Sequence, residues 1–323
     1  MSEIFFKEMS IPEPDYNLGI AGGTHGVMTG MMLISIEKVL LKENPDLVIV
    51  YGDTNSTLAG ALAAVKLHIP VCHVEAGGRL GTLSNPEEIN RTLTDHVSTL
   101  LMCCVSSAVE FLKKENITKN VFLVGDPMFD AFLNYSAELT DQDKKNLMDF
   151  DGRVSLIPDE YYYLTCHREE NTGTDEPLFE ILSAMNSLDA VTVYPVHPRN
   201  QERAKRLCRQ NTFANIILTQ PVGYLTSISL VKNAKKVVTD SGGLQREAFF
   251  SGVQCVTVFD YVAWPETMVD NQNQLAKPDK QDILTKLSVD IKRDSNYQPF
   301  GDGHAAEKIV EVITKFHKDK SYN

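Results

Sequence analysis

Short runs of apolar, β-branched residues alternate with stretches of helical periodicity along most of this chain. The strand-like runs are Leu47–Tyr51, Val71–Val74, Leu100–Val105, Val121–Val124, Tyr161–Cys166, Val191–Val196, Ile216–Leu218, Lys236–Thr239 and Gln254–Val258. Helical patterns separate them at Met28–Lys42, Thr57–Leu67, Pro86–Val97, Ser107–Glu115, Pro177–Leu188, Arg199–Gln210, Leu225–Asn233 and Leu244–Ser251. This alternation predicts parallel sheets with crossover helices. The polar, charged stretch Asn134–Asp159 divides the series and predicts two domains, 1–150 and 151–302. Gly303–Phe316 carries the stripe of an amphipathic closing helix within a last segment, 303–323. Ligands of open parallel sheets bind beyond the carboxyl ends of the strands, so two such sheets predict a cleft lined from both sides.

Composition narrows the class. The 323 residues suffice for two α/β domains with real cores, and 43% hydrophobic with 23% charged residues is a soluble, globular balance. A net charge of −12 with no basic block excludes a protein that tracks nucleic-acid phosphates, while leaving a single nucleotide ligand open. The six cysteines lie in or beside apolar runs without CxxC spacing, which reads as reduced thiols of a cytoplasmic protein. No signal peptide opens the chain and no apolar run reaches about 18 residues, so no membrane partner is expected.

The densest chemistry lies in Val238–Glu247. Two β-branched residues close a strand, Asp240-Ser241-Gly242-Gly243 turns the chain, and Leu244 enters a helix. A glycine pair at a strand-to-helix turn lets backbone N–H groups approach a ligand, and the positive end of the helix dipole favours a diphosphate. Glu247, one turn on, is placed to accept hydrogen bonds from ribose hydroxyls. The same residues also fit an ordinary Asp/Ser-capped helix.

Other polar residues stand just past strands. Asp53 follows LVIV, Glu75 follows VCHV, and Glu87, Glu88 and Arg91 belong to the start of the helix Pro86–Val97. Singly, each also reads as a cap or a helix-start acid, but three acidic positions recur at strand ends of one sheet. His167 and Arg168 follow Tyr161–Cys166, placed to meet an anion, with Glu170 and Asn171 to orient them, and His197 ends the run Val191–Val196. A lone histidine in such a place also fits a satisfied loop residue. No HEXXH or Cys/His quartet occurs, so no metal is expected. Gly19–Gly26 is not a GxGxxG fingerprint and reads as a loop.

Taken in order, YGDTNSTLAGALAA, HVEAG, PEEINRTLTDH, VGDPMFDA, CHREEN, VHPRN and TDSGGLQREA resemble the non-hydrolysing UDP-N-acetylglucosamine 2-epimerase family over nearly the whole chain. The resemblance implies two Rossmann-like domains facing a cleft, the GT-B architecture, with 303–323 packing back toward the first domain. It implies interconversion of UDP-GlcNAc and UDP-ManNAc by anti elimination of UDP across C1–C2, then re-addition with the proton on the other face. Carried over by motif, the catalytic positions are Asp53, Glu75, Glu87 and His167. Arg91 contacts substrate, joined by Arg168, Asn171 and His197; Ser241, Gly242 and Gly243 hold phosphate oxygens, and Glu247 holds the ribose. No metal or nicotinamide is implied; a homodimer in polysaccharide precursor synthesis is.

The chain departs from that family in places. It starts at MSEIFFKEMSIPEPDYNLGI, inside the pattern, without the first strand and Gly-Thr-Arg-Pro-Glu loop, so the first domain is expected to be incomplete. Gly78 precedes Arg79, Leu80–Asn85 differs from the usual segment, Val262-Ala263 replaces Thr-Glu, and Ser227 stands where an aromatic is common. Each removes a contact near nucleotide or sugar, so altered substrate binding is expected. Two alternatives follow: a 2-epimerase of a UDP-2,3-diacetamido-uronic acid, and an inactive UDP-sugar binding protein.

Overall fold

A computed structural model describes residues 6, 8–82, 85–139, 147–294 and 296–320. In chain order, α1 (His25–Glu43) leads to β1 (Val48–Tyr51), α2 (Asn55–Lys66), β2 (Val71–Val74), α3 (Pro86–Val97), β3 (Leu100–Cys103), α4 (Ser106–Lys114), β4 (Val121–Leu123) and α5 (Pro127–Glu138). A small hairpin, β5 (Leu147–Met148) and β6 (Val154–Ser155), precedes β7 (Tyr161–Thr165), the single turn α6 (Glu169–Thr172) and α7 (Asp175–Asn186). There follow β8 (Val191–Pro195), α8 (Gln201–Gln210), β9 (Ile216–Thr219), α9 (Tyr224–Asn233), β10 (Val237–Thr239), α10 (Gly242–Ser251) and β11 (Cys255–Val258). The last elements are β12 (Asn273–Ala276), α11 (Lys280–Leu287) and α12 (Ala305–Lys320).

The chain forms two compact units, one of Pro14–Asp130 with Gln298–Asn323, the other of Met1–Glu13 with Ala131–Tyr297. The first holds a four-stranded parallel sheet in the order β1-β2-β3-β4. β2 and β3 are buried along their whole length, as strands covered on both faces must be. α2 lies close against β1 because its inner face is small: a Cβ on Gly60 would come within 3.3 Å of Val50 Cγ1, and Ala59, Ala61 and Ala64 are fully buried. On the sheet, α12 adds Ile309, Val312, Ile313 and Phe316 to Cys72, Val74, Leu100, Met102 and Val124. The returning chain crosses tightly there. Gly125, at φ +93, would place a Cβ 3.0 Å from the Phe300 carbonyl oxygen, which accepts the Asp126 N–H.

The second unit holds a six-stranded parallel sheet in the order β12-β11-β10-β7-β8-β9. That is a doubly wound arrangement, with its topological switch between β7 and β10, where the crevice for a ligand opens. Tyr161 and Tyr163 with Leu230, Val231 and Ala248 form the core on one face, and Leu164, Leu178, Ile181 and Tyr194 that on the other.

Two differences from the sequence reading stand out. The units part at Asp130 and Ala131, inside α5, rather than in the polar stretch 134–159; of that stretch, 140–146 lie outside the described residues. Segment 80–85 is likewise described only in part, residues 83 and 84 lying outside. β12 reads NQLA and carries no apolar run. Its polar start is buried because Asn273 bonds Thr257 at 2.6 Å, Thr267 at 3.1 Å and Gln245 at 3.2 Å.

Candidate functional site

At the switch between β7 and β10, paired in register at Thr165 and Thr239, a cavity of about 250 Å³ opens. His167, His197, Ser241, Gly243 and Glu247 line it, five of the sequence candidates together. Ser227, singled out as a departure near the nucleotide, lines it too, as do Tyr163, Thr165 and Pro221–Tyr224, which sequence reasoning had passed over. They end strands or open α9, and only the topology gathers them.

α10 starts at the cavity wall. Ser241 caps it, its side chain accepting the Leu244 N–H at 3.3 Å. Gly242 and Gly243 occupy the first helical positions, whose N–H groups have no intrahelical acceptor. A Cβ built on Gly242 would meet nothing within 4 Å, so the space in front of that turn is open. Glu247 is buried one turn further, and burial pushes its carboxyl up to about 7, the neighbouring Arg246 opposing only in part. The Arg246 guanidinium stacks 4.1 Å from the ring centre of Trp264.

His167 follows β7 and faces Asp240 after β10, Nδ1 lying 3.1 Å from Oδ1. The Asp240 carboxylate also accepts the N–H of His167 at 2.9 Å and of Arg168 at 2.9 Å. Burial pushes the Asp240 carboxyl up, but the His167 hydrogen bond and charge and the two backbone amides outweigh it and hold it below the usual range. His197 stacks on His167 with ring centres 6.3 Å apart. Burial first, then Arg199 and His167, push the His197 imidazole below its ordinary value.

Arg168 and Asn171 do not line this cavity. They border a second one of about 210 Å³ with Phe259 and Tyr261. Arg168 donates to the Asp240 carbonyl and to Tyr261 Oη, and its guanidinium lies 4.5 Å from the Phe259 ring centre. Asn171 is buried, donating to the Val258 carbonyl at 3.0 Å. Ser227, at the position often aromatic, sits with its Oγ 3.1 Å from the Tyr163 hydroxyl.

The acidic candidates belong to the first unit. Asp53 stands in the turn after β1 and pairs with Arg91 of α3. Arg91 also binds Glu88 at 2.9 Å. Its charge resists burial because Asp53, Glu88 and Glu75 surround it, so its pKa is raised. Asn90 fixes the turn from below by donating to the Asp53 carbonyl at 3.0 Å. Glu75 follows β2 at φ +70, left-handed backbone that non-glycine residues seldom adopt. Such strain gathers at functional sites. Its carboxylate, the Cys104 thiol and the Asp126 carboxylate offer atoms that all lie within 4.8 Å of one another.

The pair Glu87-Glu88 resolves into two different roles in the fold. Glu88 turns inward, 3% exposed, and accepts the N–H groups of Leu80 at 2.9 Å and Gly81 at 3.1 Å. Glu87 is exposed at the start of α3.

Two parallel-sheet units, one with its crevice at a doubly wound switch point, place the chain among α/β proteins of the GT-B type. A family model described as UDP-N-acetylglucosamine 2-epimerase matches residues 1–314. A UDP-N-acetylglucosamine 2-epimerase homolog of Methanococcus maripaludis is 45% identical over 317 residues, 97% of this chain and 88% of that one. The UDP-2,3-diacetamido-2,3-dideoxy-D-glucuronate 2-epimerase of Pseudomonas aeruginosa is 43% identical over 326 residues, covering 98% and 88%. The crystal structure of Methanocaldococcus jannaschii UDP-GlcNAc 2-epimerase with UDP-GlcNAc and UDP matches at TM-score 0.86 and 40% identity, over 98% and 88% of the two chains. The chain belongs to the UDP-N-acetylglucosamine 2-epimerase family.

Proposed function

We propose that the protein interconverts UDP-GlcNAc and UDP-ManNAc by eliminating UDP across C1–C2 and adding it back. The observation that carries this reading is the cavity at the β7–β10 switch, with the α10 start, Glu247 and His167 on its wall. Open N–H groups at a helix start stabilise the charge that develops on a leaving diphosphate. Glu247 accepts from ribose hydroxyls. His167, its Nδ1 held by Asp240, keeps Nε2 for proton exchange.

The sugar C2–H is not acidic, so elimination with a stabilised leaving group is the lower route, and inversion needs proton-exchanging groups for both faces of the ring. Asp53, Glu75 and Glu87 are assigned that work, with Arg91 holding Asp53 in place. Arg168 and Asn171 act from behind by shaping the His167 turn. The reading includes a cytoplasmic homodimer in polysaccharide precursor synthesis; among the described residues no helix is long and apolar enough to cross a membrane.

The test is direct. Incubated with UDP-GlcNAc in deuterated water, the protein yields UDP-ManNAc with deuterium at C2, followed by proton NMR. UDP binding without any exchange on either UDP-sugar overturns the reading. The 43% identity to the diacetamido-glucuronate enzyme favours a second reading, in which that substrate turns over and UDP-GlcNAc does not.

A further inference from the structure

Beneath the two turns that carry Asp53 and Glu75 lies a histidine that the proposed reaction does not use. His73 on β2 is fully buried, 0% exposed, and each ring nitrogen meets an acceptor: Nδ1 lies 2.7 Å from Asp95 Oδ1, and Nε2 lies 2.7 Å from the Gly52 carbonyl oxygen. A carbonyl oxygen only accepts. Asp95, 1% exposed, turns its Oδ2 to two further donors, Arg79 Nη1 at 2.7 Å and the Gly77 N–H at 3.1 Å, so its carboxyl group is surrounded by donors. One imidazole serves both acceptors only with a proton on each nitrogen.

Charge balance agrees. The groups against the pair are Arg79 from the turn after β2, Glu115 at the end of α4, bonded to Arg79 at 2.7 Å and 2.8 Å, and the Cys103 thiol of β3, which burial pushes up to about 12. His96 of α3 lies 3.2 Å from Glu115 at the exposed rim. With His73 charged, two cations, Arg79 and His73, face two carboxylates, Asp95 and Glu115.

The position of this cluster gives it a task. Gly52 immediately precedes Asp53, and Gly77 closes the turn begun by Glu75. Gly77 admits no side chain, since at φ +84 a Cβ would lie 2.6 Å from the Ala108 carbonyl oxygen. Asp95 sits on α3, the helix that bears Glu87 and Arg91. We propose that His73 and Asp95 are positioning residues, a buried imidazolium–carboxylate pair that ties the Asp53 turn, the Glu75 turn and α3 to one point. The inference rests on the reading of Asp53, Glu75 and Glu87 as the reacting acids.

Two measurements test it. In protein labelled with nitrogen-15 histidine, at neutral pH, the His73 ring shows N–H protons on both nitrogens; a single protonated nitrogen overturns the proposal, whatever the activity. In the second, His73→Gln lowers kcat about 10- to 100-fold, as misplacement of reacting groups does, while UDP affinity is unchanged. Wild-type kcat in that variant, or equal losses of kcat and UDP affinity, overturns it too. If the variant does not fold, the wild-type spectrum decides alone. A wild-type protein inert to every UDP-sugar sinks the proposed reaction instead and leaves the nitrogen spectrum to judge the pair.

Discussion

Nδ1 of His167 lies 3.1 Å from Oδ1 of Asp240, and the same carboxylate holds the backbone N–H groups on either side of the His167–Arg168 bond. One buried acid thus fixes both the orientation of the imidazole and the path of the chain that carries it. Asp240→Asn is expected to lower kcat about 100-fold, the usual worth of a positioned acid/base group, with UDP affinity little changed. Because the Asp240 carboxyl is held below its ordinary value, its stabilising effect is present above the unfolded carboxyl range and is lost as pH falls. Acid unfolding of the wild type, compared with the variant by circular dichroism, checks the sign: the variant loses less stability on acidification.

Glu247 has the opposite linkage. Its carboxyl is raised to about 7 from 4.5, so the folded chain binds a proton more tightly than the unfolded chain. That contribution is full below about pH 4.5 and is lost as pH rises through 7, a difference of roughly 3 kcal/mol. Glu247→Gln is expected to raise the melting temperature at pH 8 and to change it little at pH 5. UDP binding, which draws on the ionised form, strengthens in the wild type from pH 6 to pH 8 and loses that slope in the variant. Calorimetry at pH 5, 6 and 8 measures both.

Neighbouring glutamates part company. Glu87→Gln is expected to leave stability within about 0.5 kcal/mol, as exposed substitutions do, and to cut kcat about 100-fold. Glu88→Gln weakens the bonds to Leu80, Gly81 and Arg91 and costs about 1–3 kcal/mol in urea unfolding. A stability loss confined to Glu87→Gln would reverse the assignment.

Gly242→Ala separates folding from binding in the other unit. The added methyl meets no protein atom, and alanine at a helix start is tolerated, so the melting temperature holds or rises. The methyl occupies the space assigned to a phosphate, and UDP affinity falls about tenfold or more, read by titration calorimetry.

Much of this was legible in the chain because strands buried on both faces announce themselves as β-branched runs. β2 falls at Val71–Val74 and β3 starts at Leu100, where the apolar runs put them. β12 was not legible: Asn273 and Gln274 are buried by tertiary hydrogen bonds that local periodicity does not encode. The unit boundary was misplaced because α5 runs straight through it, with Phe132 packed on Phe250 past the division. Strand-end residues such as His167 and Ser241 could be picked from sequence as chemistry waiting at a crevice. Asp240 was read as part of a turn or a helix cap, and Asp95 and His73 were not singled out, because a pairing of 73 or 22 residues' separation leaves no local trace.

The left-handed backbone at Glu75 leaves a record that sequence comparison can use. Glycine would relax that turn by about 1–3 kcal/mol, and on the proposed reading the need for the carboxylate keeps glutamate there. If that reading holds, relatives that have lost the reaction are expected to show glycine at this position, and those that keep it to retain glutamate.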